Sequence, residues 1–340
     1  MKKFEGFQRG INLGGWLSQC DHSEERYANF IKEEDIRRIS EWGLDHIRIP
    51  VDYELFEDEQ GNYREAGFAL LDKALNWAFK YGLNVVIDLH KTFGYSFDDG
   101  ENEEGFFTNP QYQERFYKLW QEIARYYGQY GDKVAFELLN EVTDPSVSET
   151  WNDIAEQCIK GIRTICPKTK ILVGGYYNNS VEAIKDLRWP YDENIVYNFH
   201  CYNPLVFTHQ GAYWIPKMPH DYRINIDEDM AIMKLEAPEV TGRPMVGYDP
   251  EEEKLSACYF RRIFAEAVSI AEERDVALYC GEYGVINLAD ARQTVEWYRM
   301  IHQVFEEYGI GRAAWSYKEM DFGFVDEHLK DVLKELVELL

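Results

Sequence analysis

The segment Val134-Ala-Phe-Glu-Leu-Leu-Asn-Glu141 is a short, mostly apolar run that ends in a carboxylate, and Val276-Ala-Leu-Tyr-Cys-Gly-Glu282 repeats this arrangement later in the chain. Runs of this length without polar alternation indicate strands of a parallel sheet that is covered on both faces. Burying a carboxylate costs free energy, and strand ends carry such groups mainly where chemistry requires them. Glu141 and Glu282 are therefore the first candidates for catalytic residues.

Six other apolar runs predict further strands, which gives eight along the chain, at 8–13, 46–50, 84–89, 134–138, 170–174, 195–199, 276–280 and 312–315. Amphipathic helices are predicted between them, at 32–42, 68–81, 110–127, 149–165, 254–273, 289–308 and 329–340, with a shorter one near 181–187. This alternation predicts an α/β fold of the TIM (β/α)8 barrel type, forming a single domain over 1–340. A doubly wound open sheet is the alternative, but the sequence after the first strand lacks the Gly-x-Gly-x-x-Gly spacing of a nucleotide-binding loop.

The connection between the sixth strand and its helix is much longer than the others. It spans 203–253, far above the usual length of a loop, and it carries several aromatic residues. Loops that leave the carboxyl ends of barrel strands build the functional face. We therefore expect an inserted subdomain over that face, either as a surface excursion with its own hydrophobic cluster or as a wall of the site.

The charge balance is strongly acidic, with 36 basic and 61 acidic residues and a formal net charge of −25. Such a surface disfavours nucleic acid and anionic membranes as partners, and it is compatible with a neutral substrate. The N-terminus lacks the apolar stretch of a signal peptide, and no apolar run approaches the ~20 residues of a membrane span. We expect a soluble protein, either cytoplasmic or secreted with its signal removed; the oligomeric state is left open.

Polar or stacking side chains occur at the carboxyl ends of six predicted strands: Arg48, Asp88, His90, Asn140, Glu141, His200, Tyr202, Glu282 and Trp315. Each has an ordinary structural interpretation, such as an ion-pair partner, a buried histidine or a core tryptophan. Asp88 is expected to point away from its neighbours and to be structural. The carboxylates of Glu141 and Glu282 are hardest to explain without chemistry, since an unpaired buried carboxylate is costly.

A metal site is the competing chemical interpretation, because His90, Glu141, His200 and Glu282 could ligate zinc or manganese. The chain lacks Cys-x-x-Cys spacing and the closely spaced histidines of metal-hydrolase barrels, so we expect no metal and no organic cofactor. A carbohydrate-binding barrel without activity is the other alternative, but it would not need both glutamates. No Gly-x-Ser-x-Gly supports a serine nucleophile.

The chain resembles glycoside hydrolase family 5, and within it the clostridial endoglucanases of the C type, which also carry an insertion after strand six. The resemblance extends from Gly10-Ile-Asn-Leu-Gly-Gly-Trp16 to Trp315-Ser-Tyr-Lys-Glu-Met320. It rests on the motifs between these ends, namely His46-Ile-Arg-Ile-Pro50, Asp88-Leu-His90, Leu139-Asn-Glu141, Asn198-Phe-His-Cys-Tyr202 and Gly281-Glu-Tyr-Gly284.

The resemblance implies that Glu282 is the nucleophile of a double displacement and that Glu141 is the general acid and base. It also implies that Arg48 keeps Glu282 ionised, because a neighbouring cation favours the charged form. Tyr202 would hydrogen-bond to Glu282, and His200 would lie beside Glu141. Breaking a glycosidic bond is the task to which such paired carboxylates are suited.

The same resemblance implies contacts with the sugar that is attacked. Asn140 would bind its 2-hydroxyl, His90 would contact the ring, and Trp315 would stack beneath it. Many members of the family have a second histidine after the position of His90, whereas Lys91 follows here. A cation at that place could alter contacts at the rim of the sugar site.

The expected activity is endo-acting cleavage of a β-1,4-glucan or a mixed β-1,3/1,4-glucan, with the polysaccharide or its oligosaccharides as the partner. Exo-β-glucanase, β-glucosidase, mannanase and xyloglucanase activities remain alternatives on the same barrel. The 203–253 insertion could close one end of the cleft and favour exo-cleavage.

Overall fold

The centre of the molecule is a closed barrel of eight parallel strands in chain order, seen in a computed structural model that describes residues 1–98, 101 and 104–340. The strands are β1 Arg9–Asn12, β2 His46–Asp52, β3 Asn84–Lys91, β4 Val134–Glu137, β5 Lys170–Gly174, β6 Ile195–Cys201, β7 Ala277–Tyr283 and β8 Gly311–Ala314. β1 pairs with both β2 and β8, which closes the barrel. The predicted TIM barrel is confirmed, and all eight predicted strands are present.

Helices surround the barrel. The α-helices are Glu24–Asn29, Glu33–Glu41, Tyr53–Phe56, Glu65–Lys80, Pro110–Tyr127, Ser148–Arg163, Leu205–Thr208, Met230–Val240, Ala257–Glu273, Ala291–Tyr308 and Leu333–Glu338, and a left-handed turn occupies Tyr176–Asn179. The 3-10 helices are Gly128–Lys133, Pro145–Val147, Val181–Asp186 and Glu327–Leu329. The connection between β5 and β6 thus holds a 3-10 helix where a short helix is predicted. Among the described residues, no helix is long and apolar enough to cross a membrane.

One end of the barrel interior is filled by apolar side chains. The cluster there comprises Phe4, Phe7, Val86, Ala135, Leu172, Val196, Ala277, Tyr279 and Ala313, all at most 5% exposed. His46 on β2 lies beside it and bonds to the Tyr279 hydroxyl through Nε2 at 2.7 Å. Apart from the His46–Tyr279 pair this end is filled by apolar side chains, and the buried carboxylates of the interior lie toward the carboxyl-terminal end.

The long connection after β6 contains the helices Leu205–Thr208 and Met230–Val240. Its buried residues Phe207, Met230 and Met233 belong to the same apolar cluster as the barrel and its helices. At the other side, Trp214 packs against Phe322, which follows β8. The connection therefore packs partly in the main core, while Ala212 and Ile215 pack in a separate small cluster with Trp315 and Phe322.

We predict that the cap of the Ala291–Tyr308 helix is worth about 1 kcal/mol of unfolding free energy. The Asp290 side chain accepts hydrogen bonds from the backbone N–H groups of Arg292 and Gln293, which have no partner within the helix. Asp290→Ala should lower the unfolding free energy in urea by that amount. Asp290→Asn keeps the acceptor and should retain most of the stability; equal losses in both variants would contradict the capping role.

Candidate active site

Arg48 lies at the centre of the polar end of the barrel, and its side chain is fully buried. Nε and Nη2 donate to the two oxygens of Glu137 at 2.7 and 2.8 Å, which forms a bidentate pair. Nη1 donates to Glu282 Oε1 at 2.8 Å, and Nη2 lies 3.0 Å from Asp88 Oδ2. The guanidinium also donates to the side-chain oxygens of Asn12 and Asn140. One cation thus connects side chains from β1, β3, β4, the segment after β4, and β7.

The position of Asp88 contradicts the sequence prediction, and Glu137 was not among the predicted site residues. Asp88 does not point away from the site: its Oδ2 lies 2.6 Å from His90 Nδ1, because residues i and i+2 of a strand share one face. Glu137, in the middle of an apolar run, faces the interior and also accepts from Asn198 Nδ2 at 2.7 Å. Burial raises the pKa of Asp88 to about 7 and raises that of Glu137 as well.

Glu141 and Glu282 are brought together, as the sequence predicts. One side-chain oxygen of each lies within 4.8 Å of the other and of a His200 ring nitrogen. Retaining glycosidases separate their carboxyl groups by about 5–5.5 Å, and inverting enzymes by about 6.5–9.5 Å. The close approach of these oxygens fits the retaining arrangement, in which the second carboxylate attacks the sugar directly.

The two glutamates have different partners. Glu282 accepts from the Arg48 guanidinium and, at 2.9 Å, from the Tyr202 hydroxyl. Glu141 is bonded to His200 Nδ1 and to Asn178 Nδ2, both at 2.8 Å. Negative charge on Glu282 is thus stabilised by a cation and a phenol, whereas Glu141 is contacted by an imidazole and an amide.

Burial separates the protonation behaviour of these groups further. It raises the pKa of Glu141 above the ordinary value, against the opposing effect of the Asn178 hydrogen bond. Burial also lowers the pKa of His200 to about 4, so its ring is neutral at neutral pH. Burial and the nearby charge of Glu282 raise the pKa of Tyr202, which stays a hydrogen-bond donor. Burial thus favours a protonated Glu141 beside the Glu282 carboxyl group, which accepts from Arg48 and Tyr202.

The backbone at Glu141 has a left-handed conformation, with φ of +28°. This region is costly for a residue with a side chain and is found mostly where function requires it. The Tyr95 hydroxyl holds the turn, since it donates to the Glu141 carbonyl at 2.7 Å and accepts from the Thr143 N–H at 2.9 Å. Tyr95 therefore fixes the direction in which the carboxyl group leaves the strand.

Trp315 and His90 form one wall of the site. Their rings are parallel within 1° with centroids 5.8 Å apart, and each side chain is almost completely buried. A Cβ atom at Gly14 would lie 2.7 Å from the Trp315 ring, so only glycine allows the ring this position. A flat aromatic surface beside two carboxylates suits the apolar face of a sugar.

A sequence model described as cellulase (glycosyl hydrolase family 5) matches residues 8–321 of the chain. The chain belongs to glycosyl hydrolase family 5. It is 46% identical to cellodextrinase A of Ruminococcus flavefaciens, over 92% of this chain and 86% of that protein. It is 39% identical to endoglucanase C of Acetivibrio thermocellus, over 98% of each. These matches confirm the resemblance that the motifs indicate, and the chain is a retaining glycoside hydrolase.

Solved structures agree with this assignment. Endoglucanase Cel5A from Thermotoga maritima has a TM-score of 0.77 and 27% sequence identity, with 100% of each chain covered. The same enzyme has been solved with mannotriose, at a TM-score of 0.77 and 26% identity. A further structure, at a TM-score of 0.76 and 26% identity, holds cellobiose.

In this family 5 enzyme, Lys91 does not extend toward the wall formed by His90 and Trp315. Its ammonium group lies 2.8 Å from a Glu54 oxygen and 3.0 Å from a Glu101 oxygen, and the side chain is mostly buried. Successive residues of a strand point to opposite sides, so the side chain leaves β3 on the other side from His90. The lysine is engaged in an ion-pair cluster that ties β3 to Glu54 and to the following loop.

Sequence reasoning missed several residues that hold the site. Asn12 ends β1 and could have been found by the rule that identified the other strand ends; its Nδ2 donates to the Gly281 carbonyl at 2.9 Å. Glu137 carried a signal too, because a lone charge inside an apolar run demands a partner. Asn178 lies in the turn after β5, and no pattern in its surroundings indicates its contact with Glu141.

We predict that removing the Arg48 guanidinium destabilises the enzyme by about 3–5 kcal/mol, because it leaves buried carboxylates without their cation. Arg48→Met should show this loss in urea unfolding at neutral pH. Adding Glu137→Gln removes one uncompensated charge, so the double variant should be more stable than Arg48→Met alone. Independent, additive losses from the two substitutions would contradict a shared ion pair.

Proposed function

We propose that the enzyme is an endo-acting hydrolase of β-1,4-linked or mixed β-1,3/1,4-linked glucan, with Glu282 as nucleophile and Glu141 as general acid and base. The observation that carries the assignment is the contrast between the two adjacent carboxyl groups. Arg48 and Tyr202 stabilise negative charge on Glu282, while burial favours the protonated form of Glu141.

In the first step, the Glu282 carboxylate attacks the anomeric carbon while Glu141 gives its proton to the glycosidic oxygen. The carbon–oxygen bond to the leaving sugar breaks, and a covalent glycosyl-enzyme remains. In the second step, the ionised Glu141 takes a proton from a water molecule while the water oxygen attacks the same carbon. Glu282 then leaves as a carboxylate. Two inversions restore the original β configuration.

The remaining strand-end residues serve the sugar and the carboxylates. Asn140, held by Arg48 through its side-chain oxygen at 3.0 Å, presents its amide N–H to the 2-hydroxyl of the attacked sugar. Asp88 binds Nδ1 of His90, which leaves Nε2 for a sugar hydroxyl. Trp315 supplies the stacking surface, and neutral His200 keeps Glu141 close to Glu282.

The substrate assignment rests on the relatives. Cellodextrinase A is named for cellodextrins and endoglucanase C for internal cleavage of a glucan, and both match most of this chain. A β-mannan is the second candidate, because the similar Cel5A binds mannotriose as well as cellobiose. Cleavage restricted to short chains is the alternative to endo-action, and the higher identity to the cellodextrinase supports testing it.

We predict that the activity of the Glu141→Ala variant depends strongly on the leaving group, whereas that of Glu282→Ala does not. Glu141→Ala should lower kcat/KM on unactivated cello-oligosaccharides about 100- to 10,000-fold, and much less on a 2,4-dinitrophenyl cellobioside that needs no proton. Glu282→Ala should nearly abolish the hydrolysis of both. Azide should rescue Glu141→Ala with formation of the β-glycosyl azide, and Glu282→Ala with the α-glycosyl azide.

Two controls accompany these variants. Unchanged thermal unfolding midpoints would show that the variants are folded, and EDTA should leave the wild-type rate unchanged if no metal takes part. Loss of the wild-type rate in EDTA would favour the metal-dependent alternative. Reversed azide products would exchange the roles of the two residues.

Products from defined substrates should establish the mode of cleavage. We predict that mixed-linked glucan and carboxymethyl cellulose lose viscosity before many reducing ends appear, because an endo-acting enzyme cuts within the chain. β-Mannan should be cleaved more slowly at equal concentration. Release of only mono- or disaccharide at constant viscosity would contradict endo-action, and faster cleavage of mannan would contradict the glucan assignment.

A further inference from the structure

The turn after β5 has an uncommon backbone. Tyr177, Asn178 and Asn179 are three successive left-handed residues, with φ of 49°, 60° and 52°. A residue with a side chain adopts such a conformation only where its surroundings enforce it. Asparagine tolerates the conformation better than most residues, yet three in succession require a cause. The cause lies in what the turn places beside Glu141.

Asn178 reaches one oxygen of the Glu141 carboxyl group. Its Nδ2 donates to Oε2 at 2.8 Å, and its backbone N–H donates to the Val142 carbonyl at 3.0 Å. The side-chain oxygen of Asn178 accepts from Nη2 of Arg243 at 3.0 Å. An amide offers donors on one side and an acceptor on the other, so an arginine on the oxygen turns the donor toward Glu141.

Asn179 lies beside His200, which is bonded to Oε1, the other oxygen of the Glu141 carboxyl group. Its side chain is fully buried, and Nδ2 is 3.5 Å from Nε2 of His200. With Nε2 facing a donor, the proton of neutral His200 is placed on Nδ1, which lies 2.8 Å from Glu141 Oε1. The same turn therefore controls Glu141 directly through Asn178 and indirectly through His200.

We propose that Asn178 is a positioning residue for the general acid and base Glu141, and that Arg243 orients it from the 203–253 connection. The inference rests on the proposed function, since it assumes the role of Glu141. The amide donor favours the ionised form of Glu141 and opposes the effect of burial. This matters in the second step, when Glu141 must accept a proton from water.

Other charged or titrating groups also surround Glu141, and they set the background for this effect. They are Arg48 on β2, Asp88 and His90 on β3, Tyr95 in the loop after β3, His200 and Tyr202 at β6, Glu282 on β7, and Arg243. Arg243 is exposed, so solvent screens its charge. Its contribution therefore comes mainly from holding the amide of Asn178.

The test is the pH dependence of kcat/KM with 4-nitrophenyl cellobioside. Asn178→Gly tolerates the left-handed backbone and removes the amide. Loss of a donor to a carboxylate raises the carboxyl pKa, so the basic limb, where Glu141 loses its proton, should move about one unit to higher pH. A uniform fall in rate without a shift of the limb would overturn the proposal, because it would indicate a merely structural role.

Arg243 is tested by a matched set of variants. Arg243→Ala should move the limb in the same direction by a smaller amount, and Arg243→Gln, which keeps a donor for the Asn178 oxygen, should move it less than Arg243→Ala. Arg223→Ala removes an exposed arginine of the same connection and should leave the profile unchanged. The basic limb of the double variant Asn178→Gly with Arg243→Ala should lie no higher in pH than that of Asn178→Gly alone. Additive shifts would overturn the proposal that Arg243 acts through Asn178.

Glu141→Ala separates this inference from the proposed function. With the same substrate, its profile should lose the basic limb. A limb that persists in Glu141→Ala would show that Glu141 is not the acid, and the proposed function would fail. A limb that disappears in Glu141→Ala but does not move in Asn178→Gly would overturn the present inference alone.

Discussion

The buried guanidinium of Arg48 is the interaction on which the polar end of the barrel depends. Three carboxylates, those of Asp88, Glu137 and Glu282, converge on one cation without solvent contact for Arg48. Such a cluster is tolerated only if nearly every donor and acceptor is used, since desolvation otherwise exceeds the Coulomb gain. The planar fork of arginine meets this requirement where the point charge of a lysine would not. The strands that carry these groups are thereby fixed at one level of the rim.

The same cation explains why two neighbouring glutamates behave differently. Glu282 shares the guanidinium directly, whereas Glu141 lies beyond it and is bonded to an imidazole and an amide. A difference in partner, not in residue type, thus distinguishes the two carboxyl groups. Gly281 supports the arrangement, because a Cβ atom there would lie 2.8 Å from the Asn198 oxygen and 3.0 Å from His200 Nε2. Glu282 can approach β6 only because the residue before it has no side chain.

The sequence predicts the barrel well because parallel strands buried on both faces leave a simple apolar signal, and each of the eight runs has it. Strand-end residues follow from the same rule, since all carboxyl ends of the barrel meet at one rim. Asp88 was misjudged because its strand continues to Lys91, which keeps Asp88 and His90 on one interior face. Asn178 could not be predicted, since a left-handed turn of two asparagines and a tyrosine has no periodicity and its contact is distant in sequence.

The long connection after β6 also positions polar side chains beside the site. Phe207, Met230 and Met233 of the connection pack in the main core, and Ala212 packs beside Trp315, so the polar residues of the connection are held in place near the site. From this position Arg243 donates to the side-chain oxygen of Asn178 in the turn after β5, and Asn178 donates to Glu141. Glu141 itself is placed by a strained backbone and by Tyr95. Glu282 is therefore held by the Arg48 cluster in the barrel interior, while Glu141 is held by loops as well as by His200 on β6. Under the proposed mechanism, sequence changes in those loops would adjust proton transfer without disturbing the ion cluster around Arg48.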